Sequence, residues 1–230
     1  MSKSITYIIS LAAVMLALAS CVKNDPDVAK PGNVNVNVVN ASEEVLNFYL
    51  NGTRQNSVTG IFPLGANGYT AIPRGNQLLA FRKQFNRTQF TDADILFTLP
   101  VKLDSVASKV RYSIFAGGIT SNDAFMVLDT LDSDAKNAKL RFVVASPQFA
   151  ALRVYLNDTL RFTSSAFKQA STFKLVGNGQ KVIKIRSTTS DEVLYTSTIP
   201  MQQGLIYTLF SAQLVANNKA NLRAGLVINQ

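Results

Sequence analysis

The 230-residue sequence contains no histidine, no tryptophan and a single cysteine. Without histidine there is no Ser-His-Asp or Cys-His relay, no imidazole metal ligand and no ordinary proton shuttle near neutral pH. One cysteine allows neither an intrachain disulfide nor a thiolate zinc cluster. Sustained helical periodicity is also missing beyond the first twenty residues, which argues against helical bundles and coiled coils. These absences set the expectation of a protein that is not an enzyme and carries no cofactor and no metal.

What is present begins with a leader. Lys3 precedes an apolar run over residues 5–19, broken only by Thr6, Tyr7 and Ser10, and the run ends in Leu18-Ala19-Ser20-Cys21. The stretch is too short for a comfortable membrane span and is followed by polar chain, the pattern of a secretory signal. Residues 18–21 resemble a bacterial lipobox. That resemblance implies cleavage before Cys21, which then carries diacylglycerol on sulfur and an acyl chain on its amine, giving more than the marginal hold of one chain. Residues 21–33 are polar, with Pro26 and Pro31 opposing a helix, and read as a flexible tether. An Asp directly after the Cys would resemble an inner-membrane retention signal; Val22 stands there instead, which implies the outer membrane, with the chain facing the periplasm or the cell surface.

The remainder repeats itself. Val38-Val39-Asn40-Ala41-Ser42 matches Phe142-Val143-Val144-Ala145-Ser146, and Tyr49-Leu50-Asn51-Gly52-Thr53 matches Tyr155-Leu156-Asn157-Asp158-Thr159. Residues 69–82 align without a gap to 173–186, and Tyr112-Ser113-Ile114-Phe115 aligns to Tyr207-Thr208-Leu209-Phe210. A period near one hundred residues is that of a whole small domain, not of a solenoid. Each copy alternates apolar and polar residues over runs such as Lys181-Val182-Ile183-Lys184-Ile185-Arg186, punctuated by Asn51-Gly52, Asn157-Asp158 and Arg74-Gly75. This predicts half-buried strands joined by hairpins, about seven per copy. The fold class is therefore all-β: two tandem immunoglobulin-like β-sandwiches, over residues 34–131 and 138–230. The last strands are expected at Ala124–Thr130 and at residues 223–229, and the short Asp-rich linker over residues 129–138 permits a hinge unless the domains bury a sizeable contact.

The order of these blocks, from Val-Val-Asn-Ala-Ser or Val-Val-Ala-Ser-Pro through Tyr-Leu-Asn and a strand ending in Arg to Tyr-Thr-Leu-Phe, resembles the domain of unknown function 4397 family. The resemblance covers residues 34–230 as two tandem copies and departs from the family at Glu43-Glu44, where copy two has Pro147. It implies an extracytoplasmic β-sandwich with no assigned catalytic residue.

Charge is unevenly spread. Residues 138–230 hold eleven basic and three acidic side chains, whereas residues 33–118 hold eight and five. A basic domain can attract anionic lipid, acidic polysaccharide or nucleic acid. Lys139, Arg141, Arg153, Lys174, Lys184 and Arg186 are read instead as outward positions of alternating strands facing solvent. With no aromatic residues interleaved among them, nucleic acid is not expected as a partner.

Candidate chemistry is thin. Glu43 and Glu44 are adjacent, so on a strand they point to opposite faces and cannot flank one bond. Asp129, Asp132 and Asp134 lack the glycine and the distal glutamate of a calcium loop. Ser42 and Ser146 have no activating base and read as strand-end turns. Asp104-Ser105-Val106, Asp129-Thr130-Leu131 and Asp158-Thr159-Leu160 resemble a bacterial O-glycosylation sequon. Phe81, Arg82, Lys83, Phe85 and Phe90 lie in a stretch that is longer in copy one, and form the candidate ligand-binding loop for a sugar or protein.

The expectation is a non-catalytic envelope lipoprotein, anchored in the outer membrane by lipid on Cys21, that binds a protein or glycan partner. The alternative is a structural subunit of a surface appendage, which demands an exchangeable terminal strand over residues 220–229.

Overall fold

A computed structural model describes residues 32–84, 94–104, 107, 109–149, 151–164, 166–216 and 219–230. The leader, Cys21, the tether as far as residue 31, Ser105, Phe85 and Phe90 lie outside the described residues, and the expected tether's last residue, Asn33, already belongs to the first strand. Within them there is no α-helix, and a short 3-10 turn, Ser121–Asp123, precedes the last strand of the first half. The all-β expectation holds.

The first half contains β1 (Asn33–Asn40), β2 (Leu46–Leu50), β3 (Thr53–Arg54), β4 (Ala66–Pro73), β5 (Gly75–Lys83), β6 (Ile95–Leu103), β7 (Val110–Ala116) and β8 (Ala124–Thr130). The second contains β9 (Lys139–Val144), β10 (Leu152–Leu156), β11 (Thr159–Ser164), β12 (Lys174–Leu175), β13 (Gly179–Ser187), β14 (Val193–Met201), β15 (Ile206–Ala216) and β16 (Lys219–Ile228). Each half is a sandwich of two four-stranded sheets. The orders are β4-β1-β7-β8 and β3-β2-β5-β6 in the first, and β12-β9-β15-β16 and β11-β10-β13-β14 in the second, so the topology repeats strand for strand.

Eight strands per half replace the expected seven. The shortest strands, β3 and β12, have two residues each, too few to show an alternation. A parallel pair in each half, β1 with β7 and β9 with β15, is equally silent in a period-two pattern. The hairpins fall where expected: Asn51 and Gly52, and Asn157 and Asp158, all have positive φ, as a two-residue turn of the primed type demands. The 220–229 segment is hydrogen-bonded along its length to β15 within its own sheet.

Alternation fills each sandwich from both sheets. Val36, Val38, Phe48, Leu79 and Ile114 meet in the first core, and Leu140, Phe142, Val154, Ile183 and Leu209 in the second. Phe81 is fully buried in the first core, stacked on Phe97 at 4.6 Å between centroids.

A third cluster lies outside both sandwiches. Val39, Ala41, Phe115, Val143, Ala145, Phe210, Ala212 and Val227 are buried against one another, and they belong to the faces of the β4-β1-β7-β8 and β12-β9-β15-β16 sheets that point away from their own cores. Those two sheets are therefore inner layers of a four-layer stack. Their strands are buried on both faces, as the unbroken burial of residues 36–42, 112–117 and 206–212 records. Pro31–Gln230 accordingly behaves as one compact unit, and the hinge the short linker would otherwise permit is closed by buried contact.

Truncating the aromatic core of the first half should be costly. Phe81→Ala should lower unfolding stability by about 3–5 kcal/mol, whereas Leu78→Ala, 56% exposed on the same strand, should stay within about 0.5 kcal/mol. Urea denaturation of the two variants checks this.

Candidate functional site: the seam between the two sandwiches

The seam is built from repeat-equivalent residues. The strand registers place Tyr112 beside Val36 and Tyr207 beside Leu140, and place Arg111 opposite Asp129. The matching bond in copy two runs from the Asn229 amide to the Ile206 carbonyl. Val39 thus corresponds to Val143, Ala41 to Ala145, Phe115 to Phe210, Val127 to Val227, and Asp129 to Asn229. Phe115 and Phe210 meet edge to face at 5.8 Å. Each copy uses the same face, as in an isologous two-fold dimer whose subunits have been joined in one chain.

Beside the apolar cluster runs a closed ring of hydrogen bonds that crosses the seam twice. Arg141 Nη2 donates to Asp129 Oδ1, and Tyr69 Oη donates to Asp129 Oδ2 at 2.7 Å. Asn229 Nδ2 donates to Tyr69 Oη at 2.9 Å, and Thr208 Oγ1 donates to Asn229 Oδ1 at 2.6 Å. Arg141 Nε closes the ring on Thr208 Oγ1 at 2.9 Å. Ser113 Oγ adds a further bond to Asp129 at 2.6 Å, and Arg141 Nη1 reaches the Leu128 carbonyl at 3.1 Å. The carboxylate is 0% and the guanidinium 2% exposed, and the guanidinium lies over the Phe173 ring at 4.7 Å. Burial, and next the charge of Asp129, push the Tyr69 hydroxyl well above its ordinary pKa.

The ring corrects two expectations. Arg141 does not face solvent: it points outward from its own sandwich into the other one. Asp129 is not part of the linker: it is the second-last residue of β8 and lies inside the seam, while Asp132 pairs with Lys109 at 3.0 Å and Asp134 accepts the Lys136 and Asn137 amides of its own turn. The Asp134 carboxyl is held below the usual range chiefly by the Lys136 amide, and that of Asp132 chiefly by Lys109.

At the end of the seam where β1 and β9 finish, a cleft of about 410 Å³ opens. Its walls are again equivalent segments: Ser42, Glu43 and Glu44 with Gly117 and Gly118 from the first half, Pro147, Gln148 and Gln213 from the second, with Ile119 and Asp123 on the rim. The copies have diverged here, with carboxylates on one wall and carboxamides on the other. Ser42 Oγ donates to Asn40 Oδ1 at 2.7 Å, and Ser146 Oγ accepts the Phe149 amide at 3.3 Å, so both hydroxyls hold turns. Glu44 is paired with Lys83 at 2.7 Å. Gly117 sits where the halves come closest: a Cβ there would lie 2.3 Å from the Ala145 carbonyl oxygen, so no larger residue fits without shifting the seam.

The expected ligand-binding loop is not assembled as an exposed contact surface in its described part. Phe81 is core, and Arg82 is 9% exposed with its guanidinium over Tyr49 at 4.8 Å. Lys83 is taken by Glu44. Phe81 stands on the apolar phase of its strand, so the greater length of the stretch in copy one does not expose it.

One family model is similar to the second half. Residues 138–229 match the model described as Domain of unknown function (DUF4397). No curated protein matches the chain. Among solved structures, one described as a "putative cell adhesion protein" from Bacteroides uniformis ATCC 8492 aligns over 86% of this chain and 98% of that one. The pair is 9% identical with a TM-score of 0.23, values that establish no shared fold.

Two measurements check the seam. Asp129→Ala leaves a buried guanidinium without its partner and should cost about 3–5 kcal/mol, and the Asp129→Leu/Arg141→Met pair should recover much of that loss. Because folding raises the Tyr69 pKa, its contribution is complete below about pH 10 and is lost as pH rises beyond it. Thermal unfolding of Tyr69→Phe should therefore show a weaker loss of stability above that pH than the parent.

Proposed function

We propose that the protein is a non-catalytic, lipid-anchored module of the cell envelope, with both halves copies of one family domain. Cys21 carries the lipid in the outer membrane, the polar tether spaces the fold from the bilayer, and the double sandwich holds a protein or glycan partner. The observation that carries this reading is the seam. Two sandwiches locked through a satisfied polar ring form a rigid support, and the cleft on that seam is lined from both copies by groups suited to holding a ligand.

The same geometry supports a binding role over a catalytic one. Glu44 is engaged by Lys83, both serines hold turns, and the buried carboxylate of Asp129 is saturated by donors. No described carboxylate pair is free and set to act as acid and base across one bond. The appendage alternative loses support, since the strand it needs to exchange is paired with β15.

Growth with an alkyne fatty acid should label the full-length protein, and Cys21→Ala should abolish the label and release the chain from the membrane fraction. Label that survives Cys21→Ala, or a chain that stays soluble without any label, contradicts the anchor. For the cleft, Glu43→Ala with Gln148→Ala should reduce retention of the protein on a glycan array without changing its thermal unfolding.

A further inference from the structure

The outer sheet of the second half, β11-β10-β13-β14, presents a face that the sequence reading treated as ordinary solvent-exposed strand. On that face Arg153 stands directly opposite Arg186, and Tyr155 directly opposite Lys184. The Arg186 guanidinium lies 5.7 Å from the centroid of the Tyr155 ring. Arg153, Lys184 and Arg186 side chains are each 30% exposed, and Leu160 and Val182 flank them at 48% and 36%. An aromatic ring is thus interleaved with three cations, contrary to the expectation from sequence.

The first half supplies an internal control. By the repeat alignment, Asn47 stands where Arg153 does, Ala80 where Lys184 does, and only Arg82 matches Arg186. Tyr49, the counterpart of Tyr155, is 6% exposed. Arg54 also lies on that face, directly opposite Tyr49 with its guanidinium 5.9 Å from the ring centroid, so the same sheet folds with two cations against a covered tyrosine and without a directly opposed arginine pair. Placing two arginines directly opposite one another opposes folding. Asp191 offsets this through carboxylate contacts of 3.6 Å to Arg153 and 3.4 Å to Arg186, Arg186 also donates to the Asp191 carbonyl at 3.0 Å and Arg153 to the Thr188 carbonyl at 2.9 Å, and Asp158 pairs with Lys184 at 2.6 Å. Exposed pairs of this kind are weak and exchange readily for a better partner.

We propose that this face is a binding surface for a carboxylate-bearing polysaccharide. Guanidinium groups pair with carboxylates through two parallel hydrogen bonds, and a tyrosine ring offers an apolar face with a polar edge. Residues 138–230 hold eleven basic against three acidic side chains, and even with Arg141 neutralised in the seam the remaining excess of positive charge raises the local concentration of a polyanion. A four-stranded sheet face is wider than the α-helix or two-stranded ribbon that a major groove admits, and a single tyrosine does not make the row of stacking platforms that single strands need. The surface shares no residue with the seam cleft, so its failure leaves the anchoring and cleft tests intact.

The test is a titration of the full-length protein in detergent with polygalacturonate, using neutral dextran, a single-stranded DNA homopolymer and phosphatidylglycerol vesicles as competitors. Polygalacturonate should bind, release as salt is raised, and resist competition by dextran, DNA and vesicles. Arg153→Gln with Arg186→Gln should weaken it by about tenfold or more, Lys184→Gln and Tyr155→Leu severalfold each, with thermal unfolding unchanged. Lys102→Gln with Lys109→Gln in the first half, removing the same charge, should leave binding within about twofold. Absence of binding, an equal loss in the first-half variant, or tighter competition by DNA or vesicles would overturn the proposal.

Discussion

A buried carboxylate that one half of the protein cannot satisfy alone is the constraint on which the rest of the architecture turns. Asp129 takes hydrogen bonds from Tyr69 and Ser113 in its own half, yet its charge is met by Arg141 of the other. Neither ion can remain charged in an apolar layer without its partner, because desolvation costs several kcal/mol per ion. The ring through Thr208 and Asn229 leaves each of its members with a partner. A polar network of this kind fixes register in a way that the cluster around Phe115 and Phe210 does not, since apolar contacts tolerate sliding.

Pairing the same face of two copies would make a symmetric dimer, but fusion in one chain allowed the copies to differ. At the ring the difference is chemical: Asp129 corresponds to Asn229, and Asn37 to Arg141, so only one of two equivalent positions on each side carries charge. At the cleft it sets carboxylates against carboxamides, and on the outer sheets it sets a covered Tyr49 against a more open Tyr155 with extra cations. The apolar contacts along the axis stayed alike while the places that meet solvent diverged, which is the distribution expected when packing restrains some positions and binding others.

Much of this was legible. The strands of the outer sheets, such as Gly179–Ser187, alternate strictly and announce themselves, and the turns at Asn51-Gly52 and Asn157-Asp158 follow from local backbone preference. The internal repeat foretold that the two halves would be alike. The seam was harder to see, although a signal was present: Val38-Val39 and Phe142-Val143-Val144-Ala145 are apolar on both phases, the mark of a strand covered on both faces. Arg141 and Asp129 hid the seam because a lone charge in an apolar strand reads as a solvent position until its partner, twelve residues away, is placed in space. The Tyr155 face was missed for the complementary reason. Its cations lie on different strands, and only the register of β10 with β13 brings them side by side.

The central claim is that the two sandwiches form one rigid body. Spin labels on Thr98→Cys and Thr198→Cys, on the outer sheets of the two halves in a Cys21→Ser background, test it most directly through the distribution of distances between them. The account predicts one narrow distance that persists in dilute solution. A broad or two-peaked distribution in the folded protein would show that the halves move independently, and would contradict it.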